Sequence, residues 1–478
     1  MGHVLHSGFS STTHVVLFPF MSKGHTIPLL QLARLILARA ATVTIFTTPA
    51  NLPFISTRLQ NTAASIITLP FPKNIEGVPD GVESTDKLPS MSLFVPFVTC
   101  TKLMKPHFED ALEGLADVTF MITDSFLGWT LDSASKFGIP RLATYGFNAF
   151  SGAIMRSVVA SRVLFQVESD AELFQVPDFP WIKVTRNDFS SPFIDREPEG
   201  PHFEFVKESI TATSNSYGLL VNSFYELEPK FIEYSNCKSK PKTWSIGPLC
   251  LAEPPKTTTT SQKPLYLKWL DDKLENGKSS VLYVAFGSQA EISKEQLHEI
   301  MTGLEKSGVN FLWVVGKNGK EVDNEFERRV KDRGLVVRDW VDQIEILKHE
   351  SVKGFLSHCG WNSALESICA KVPILGWPMM AEQPLNVRMV VEEIKVGLRV
   401  ETCDGTVRGF VKWEGLSKMV KELMEGEMGK VVRKNVEEIG DAAAKAVLEE
   451  SGSSWKYLDH LIEDIVAFRN KKFVSQQA

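Results

Sequence analysis

Two small polar turns carry groups able to hold a charged ligand, Phe286-Gly287-Ser288-Gln289 and Ser357-His358-Cys359-Gly360-Trp361-Asn362-Ser363. Each follows a short apolar run that reads as a buried strand, and the second opens a helix from Ala364 onward. Backbone N–H groups of Gly360 to Ser363 would then point outward at the positive end of the helix dipole, joined by side-chain donors from His358, Asn362 and Ser363. Such a set makes a diphosphate cradle without a lysine, suited to a nucleotide sugar whose phosphates leave; taken alone it reads equally as a glycine-rich helix cap. The more usual phosphate loops are absent, with no G-x-x-x-x-G-K-[ST] and no G-x-G-x-x-G after either first strand, which argues against a P-loop enzyme and an NAD enzyme. Of ten histidines, His25 follows the first strand and the Met21-Ser22-Lys23-Gly24 turn, with Pro28 expected in the first helical turn. Its imidazole would stand at the C-terminal edge of a strand, where a base is useful, although a histidine in a turn is more often a surface or capping residue.

Short apolar runs alternating with amphipathic stretches must position these groups. Strands are expected over His14–Phe20, Thr42–Thr47, Ser65–Leu69, Val118–Thr123 and Gly218–Asn222, then over Ser280–Phe286, Asn310–Val315, Leu335–Val337, Val352–Leu356 and Pro373–Gly376. Helical periodicity is clearest in Ile27–Ala38 and Lys294–Ser307. Both halves therefore read as doubly wound α/β units with parallel sheets buried on both faces, which bind ligands beyond the C-terminal ends of their strands. Leu251–Lys263, LAEPPKTTTTSQK, has the composition of an exposed linker, and Trp455–Arg469 forms one more helix with Leu458, Leu461, Ile462 and Ile465 on one face.

From Trp340 to Gln383, WVDQIEILKHESVKGFLSHCGWNSALESICAKVPILGWPMMAEQ, the chain resembles the plant secondary product glycosyltransferase box across its whole 44-residue span. The resemblance is to plant family 1 UDP-sugar glycosyltransferases and runs from the first strand to the C-terminal helix. It implies a GT-B fold, two Rossmann-like domains facing across a cleft: an acceptor-binding domain over 1–250, a linker over 251–263, a UDP-sugar-binding domain over 264–454, and a helix over 455–470 packing back on the first domain. It also implies that Trp340 stacks on uracil with Gln343 near base and ribose, that Val341 belongs to the same site, and that Glu366 accepts from both ribose hydroxyls. By the same likeness Ser288, His358, Gly360, Asn362 and Ser363 hold the diphosphate, while Trp361, Glu382 and Gln383 meet the sugar hydroxyls. A Gln ending the box is similar to the glucose-using members. His25, in the family's G-H-x-x-P context, matches the catalytic histidine, and Asp124, in Ile122-Thr123-Asp124, matches the carboxylate that orients it. Two strand ends of one sheet can join them across 99 positions.

The implied chemistry is a single displacement with His25 as general base, converting UDP-α-glucose and an acceptor hydroxyl to a β-glucoside. With no Asp-x-Asp motif, no metal is expected, and UDP-glucose is a donor substrate rather than a cofactor. A small aromatic acceptor is expected against Met91, Leu93, Phe94, the Phe126–Trp129 run, Phe147 and Phe150, with Val176–Trp181 nearby, though each of these taken singly also reads as core. Where many relatives place Ser or Thr near the sugar, this chain reads Tyr145-Gly146-Phe147-Asn148. C-glycosylation of a polyphenol, another UDP-sugar, and an idle nucleotide-sugar-binding protein are the alternatives.

Composition agrees with a folded chain of several domains: 478 residues, 43% apolar and 23% charged. With 52 basic against 58 acidic residues, the net charge of −6 supplies no field for nucleic acid or anionic lipid. Six scattered cysteines fit a reducing compartment and no zinc spacing. No signal peptide, membrane anchor or span is read from the sequence, so a cytoplasmic protein is expected, taken as a monomer.

Overall fold

The computed structural model describes residues 13–252, 263–277 and 280–477, so residues 253–262 of the expected linker lie outside the described residues. The first strand, β1 (His14–Phe18, HVVLF), shows why its run is almost wholly apolar. Val15 and Leu17 enter one core with Leu29, Leu32 and Ile36, while Val16 and Phe18 enter another with Phe46, Phe97 and Phe108. Side chains alternate along a strand, so a sheet covered on both faces needs apolar residues at every position.

β2 (Thr42–Thr47), β3 (Ser65–Thr68), β4 (Val118–Asp124) and β5 (Arg141–Thr144) follow, then an antiparallel hairpin of β6 (Phe174–Val176) and β7 (Phe179–Val184), then β8 (Gly218–Val221) and β9 (Lys242–Ser245). All but the hairpin form one parallel sheet in the order β3-β2-β1-β4-β5-β8-β9. β10 (Val281–Ala285), β11 (Asn310–Val314), β12 (Gly334–Val337), β13 (Val352–Ser357), β14 (Ile374–Gly376) and β15 (Gly397–Arg399) form a second, in the order β12-β11-β10-β13-β14-β15. The strand order reverses between β1 and β4 and again between β10 and β13, and at such points the connections diverge and leave room for a ligand. Both doubly wound sheets were expected; the strands β5, β9 and β15 and the hairpin were not, all but β7 being four residues or fewer, too short for a periodic pattern to show.

The helix after β1 starts earlier than its periodicity indicates, at Lys23, with an extended Ser22 as N-cap. Pro28 is consequently past the first turn, where it lacks the N–H that would bond to the Gly24 carbonyl.

The chain divides into two compact units that are not its two halves. One holds residues 13–149, 197–252 and 445–477, and the other holds 150–196 and 263–444. This departs from the expected 1–250 and 264–454 at both ends. Residues 150–196 join the second unit through the buried Arg388–Asp188 ion pair at 2.7 Å and the Ser151 hydroxyl donating to Asn386 Oδ1 at 3.0 Å. The C-terminal helix Ser453–Gln477 joins the first unit, because Leu458, Leu461, Ile462 and Ile465 complete the core around β1. Arg39 anchors that helix, its guanidinium 3.5 Å from the Trp455 ring and its Nε 3.0 Å from Asp459.

Candidate active site

In the first unit, β4 ends on a buried aspartate and the chain turns at once into the short 3-10 helix Ser125–Leu127. Asp124 caps that turn, its Oδ1 accepting from the Phe126 N–H at 2.9 Å, and its Oδ2 lies 2.7 Å from His25 Nδ1. With one oxygen tied to the backbone, the carboxylate fixes the imidazole through the other. The proton of a neutral His25 belongs on Nδ1, facing Asp124, and Nε2 is the accepting nitrogen. Gly146 borders that nitrogen, since a Cβ there would stand 3.3 Å from Nε2.

The rings around His25 are Phe126 at 5.0 Å and Phe20 at 5.6 Å, with Phe94 and Phe205 packed edge-on behind Phe126. Phe94 and Phe126 were expected there; Phe20 and Phe205 were not. Phe20 follows β1 closely enough to be found by position, whereas Phe205 comes from the helix Gly200–Ser214, which no strand-end argument reaches. Met91 is half-buried and Phe147 stacks on Tyr145 at 4.5 Å. Two expected acceptor residues are core instead. Trp129 packs against Phe18 and Phe108 with its indole N–H on the Thr101 hydroxyl, and Phe150 is fully buried. The Val176–Trp181 stretch is the turn and second strand of the hairpin and groups with the second unit.

In the second unit, β13 ends at Ser357 and the helix Trp361–Cys369 begins after an extended Gly360. Cys359 bridges them in the left-handed region at φ 58°, held by its N–H donating to the Ser357 hydroxyl at 3.0 Å. His358 is half-buried and wedged between two glycines: a Cβ at Gly287 would lie 2.8 Å from its Nε2, and one at Gly360 2.6 Å. Burial lowers its pKa to about 4, so it is a neutral hydrogen-bonding group rather than a cation. Ser288 is exposed just beyond β10, and Asn362, Ser363 and Glu366 share one partly exposed helix face.

Gln343 links this face to the core. It accepts from the buried Tyr283 hydroxyl at 3.2 Å and donates to Ser363 Oγ at 2.9 Å and Glu366 Oε2 at 2.7 Å. Trp340 leaves 52% of its surface open. Val341 packs into the core beside Tyr283 and Phe355, which leaves its backbone as the part able to meet a ligand. Trp361 is likewise a packing residue, 1% exposed. Gln383 uses Oε1 to accept from the Met379 and Met380 N–H groups, both at 2.9 Å, so only its amide nitrogen can serve a sugar. Asn386, not anticipated, donates to the Cys359 carbonyl at 2.9 Å and to Glu382 Oε1 at 3.3 Å.

The family model described as UDP-glucoronosyl and UDP-glucosyl transferase matches residues 256–436. UDP-glycosyltransferase 90A1 of Arabidopsis thaliana is 56% identical over 97% of this chain and 98% of its own length. The chain belongs to the plant family 1 UDP-glycosyltransferases. Another relative, the UDP-glucose flavonoid 3-O-glucosyltransferase 7 of Fragaria ananassa, is 36% identical over 95% of this chain and 96% of its own length. Among solved structures, Glycyrrhiza uralensis UGT73P12 in complex with glycyrrhetinic acid 3-O-monoglucuronide aligns with a TM-score of 0.86 and 32% identity, covering 97% of this chain and 98% of that one. The fold of this UDP-glycosyltransferase is accordingly GT-B, one doubly wound parallel sheet in each unit. Among its described residues no helix is long and apolar enough to cross a membrane, and no cluster of three or more His, Cys, Asp or Glu has metal-binding geometry.

Proposed function

We propose that this glycosyltransferase moves glucose from UDP-glucose to a hydroxyl of a small phenolic or flavonoid-type acceptor, inverting the anomeric carbon without a divalent metal. The observation that carries the reading is the 2.7 Å contact of His25 Nδ1 with a carboxylate whose other oxygen is held by a backbone N–H. His25 Nε2 takes the acceptor proton, the acceptor oxygen bonds to the anomeric carbon, and the bond to the diphosphate breaks with its electron pair leaving on UDP. Asp124 stabilises the imidazolium. Trp340, Gln343 and Glu366 hold the nucleoside; Ser288, the Gly360–Ser363 N–H groups and neutral His358 hold the diphosphate; Glu382 and Gln383 address the sugar.

An aromatic acceptor is supported by the Phe20 and Phe126 rings beside the base and Phe94 packed behind them, and glucose and a flavonoid by the name of the Fragaria relative. Six cysteines without a disulfide suit a cytoplasmic enzyme, which we take to be a monomer. The test is mass spectrometry of a flavonoid and simple-phenol panel incubated with competing UDP-sugars, followed by hot-acid hydrolysis of the product. Acid-labile addition of one hexose from UDP-glucose is expected; an acid-stable product or preference for another UDP-sugar overturns that part of the reading. His25→Ala is expected to lower kcat on an alcohol acceptor by about a hundredfold or more with UDP binding retained, and a wild-type rate would remove His25 from the mechanism.

A further inference from the structure

Beneath the His25–Asp124 pair lies a buried cation that the chemistry above does not use. Arg141 opens β5 and is 2% exposed. Its Nε donates to Thr123 Oγ1 at 2.7 Å and Thr130 Oγ1 at 3.0 Å, its Nη1 to Ser216 Oγ at 2.6 Å, and its Nη2 to the Asp124 carbonyl at 3.2 Å. Every one of these acceptors is uncharged. Burying a guanidinium without a carboxylate against it is costly. Burial lowers its pKa to about 10, opposed by the fields of Tyr145 and Asp124, and it stays charged at neutral pH.

Tying neighbouring segments to the sheet does not by itself call for a charge. The three hydroxyls have partners besides Arg141: Thr130 donates to the Leu127 carbonyl at 2.6 Å, Ser216 to the Ala212 carbonyl at 2.8 Å, and Thr123 lies 2.7 Å from Thr130. What distinguishes the site is its end point, the backbone of the residue whose carboxylate holds the base. Among the described residues, charged or titratable groups near His25 include Asp124, hydrogen-bonded to it; Tyr145, next to the Gly146 that borders its ring and with its hydroxyl 3.0 Å from Thr213 Oγ1; and Lys23, two positions before it and 3.7 Å from Asp86. Facing the ring from other elements, Phe20, Phe126 and Gly146 are uncharged.

We propose that Arg141 is a positioning residue for the glycosyl transfer: through the Asp124 carbonyl it fixes the end of β4, and its positive charge, acting across Asp124, keeps His25 unprotonated and ready to accept. This rests on the reading of His25 and Asp124 as the base pair. Removing the charge favours the imidazolium, so the neutral fraction of His25 falls at any given pH and the acid limb of the rate profile moves to higher pH.

The experiment is the pH profile of kcat/KM for the full-length enzyme at saturating UDP-glucose, with an alcohol acceptor that does not itself ionise in the range. The variants are Arg141→Met, Arg141→Gln, Arg141→Lys and His25→Ala. His25→Ala should lose the acid limb. Arg141→Met should shift the limb upward by about one pH unit and lower kcat more than KM. Arg141→Gln, which keeps some donors but not the charge and serves if the Met variant does not fold, should shift it equally. Arg141→Lys should leave the limb near its wild-type position. If His25→Ala loses the limb while both neutral variants keep it unmoved, Arg141 is structural only and the inference falls. If His25→Ala keeps the wild-type limb, the base-pair reading itself falls, and this proposal with it.

Discussion

His358 shows how tightly a single residue is specified. Its ring is pressed between Gly287 and Gly360, close enough that a methyl group on either would overlap the imidazole nitrogen. Gly287 also holds φ at +78°, which other residues adopt at a cost, whereas Gly360 has an ordinary extended backbone and is needed for space alone. Gly360→Ala should therefore raise the KM for UDP-glucose by about tenfold, roughly 1.4 kcal/mol of displaced cradle, with little change in melting temperature. Steady-state kinetics beside a thermal melt would check this, and an unchanged KM would mean that the His358 ring does not meet the donor. Because His358 is held neutral by burial, its hydrogen bonding should persist unchanged from pH 6 to 9, well above its pKa of about 4.

At the scale of elements, two connections carry the candidate donor groups: the turn from β13 into the Trp361–Cys369 helix, and the segment from Ala381 into the helix Gln383–Arg388. Asn386 binds them, with its amide on the Cys359 carbonyl and on Glu382 and its oxygen receiving the Ser151 hydroxyl. If Glu382 reads the sugar, Asn386→Ala should raise the KM for UDP-glucose by about three- to tenfold while leaving the inhibition constant of UDP within about twofold. An equal loss for both ligands would place its influence on the diphosphate turn instead. Much of this was legible beforehand, because strand-end turns rich in Gly, Ser, His and Asn announce themselves by type and spacing. The neighbours that orient them did not. Arg141 and Asn386 sit inside ordinary-looking strand and helix stretches, and their farthest partners are 75 and 235 positions away. Trp129 and Phe126 are only three residues apart, yet one faces the core and the other His25, a choice made by the 3-10 turn Ser125–Leu127 that no periodicity encodes.

At the scale of the molecule, the linker's composition pointed to a simple division of the chain, but the long-range contacts that reassign 150–196 and 445–454 leave no local signature. The C-terminal helix is needed by the first unit, whose core it shares. Leu461→Ala, which removes a fully buried side chain from the cluster containing Val15, Leu17 and Trp244, should destabilise that unit by about 2–5 kcal/mol. A calorimetric scan would show the lower-temperature transition of the first unit, and an unchanged scan would separate the helix from that core. The same feature has a consequence for synthesis. The hydrophobic face beside β1 is made within the first 40 or so residues, but the residues that cover it are translated last, at Leu458 to Ile465. Domains usually fold in order as they leave the ribosome. Here the first sheet must wait, partly uncovered, until the second unit has been made, so a nascent chain stalled before residue 453 should hold an unfinished first unit and be a substrate for holding chaperones.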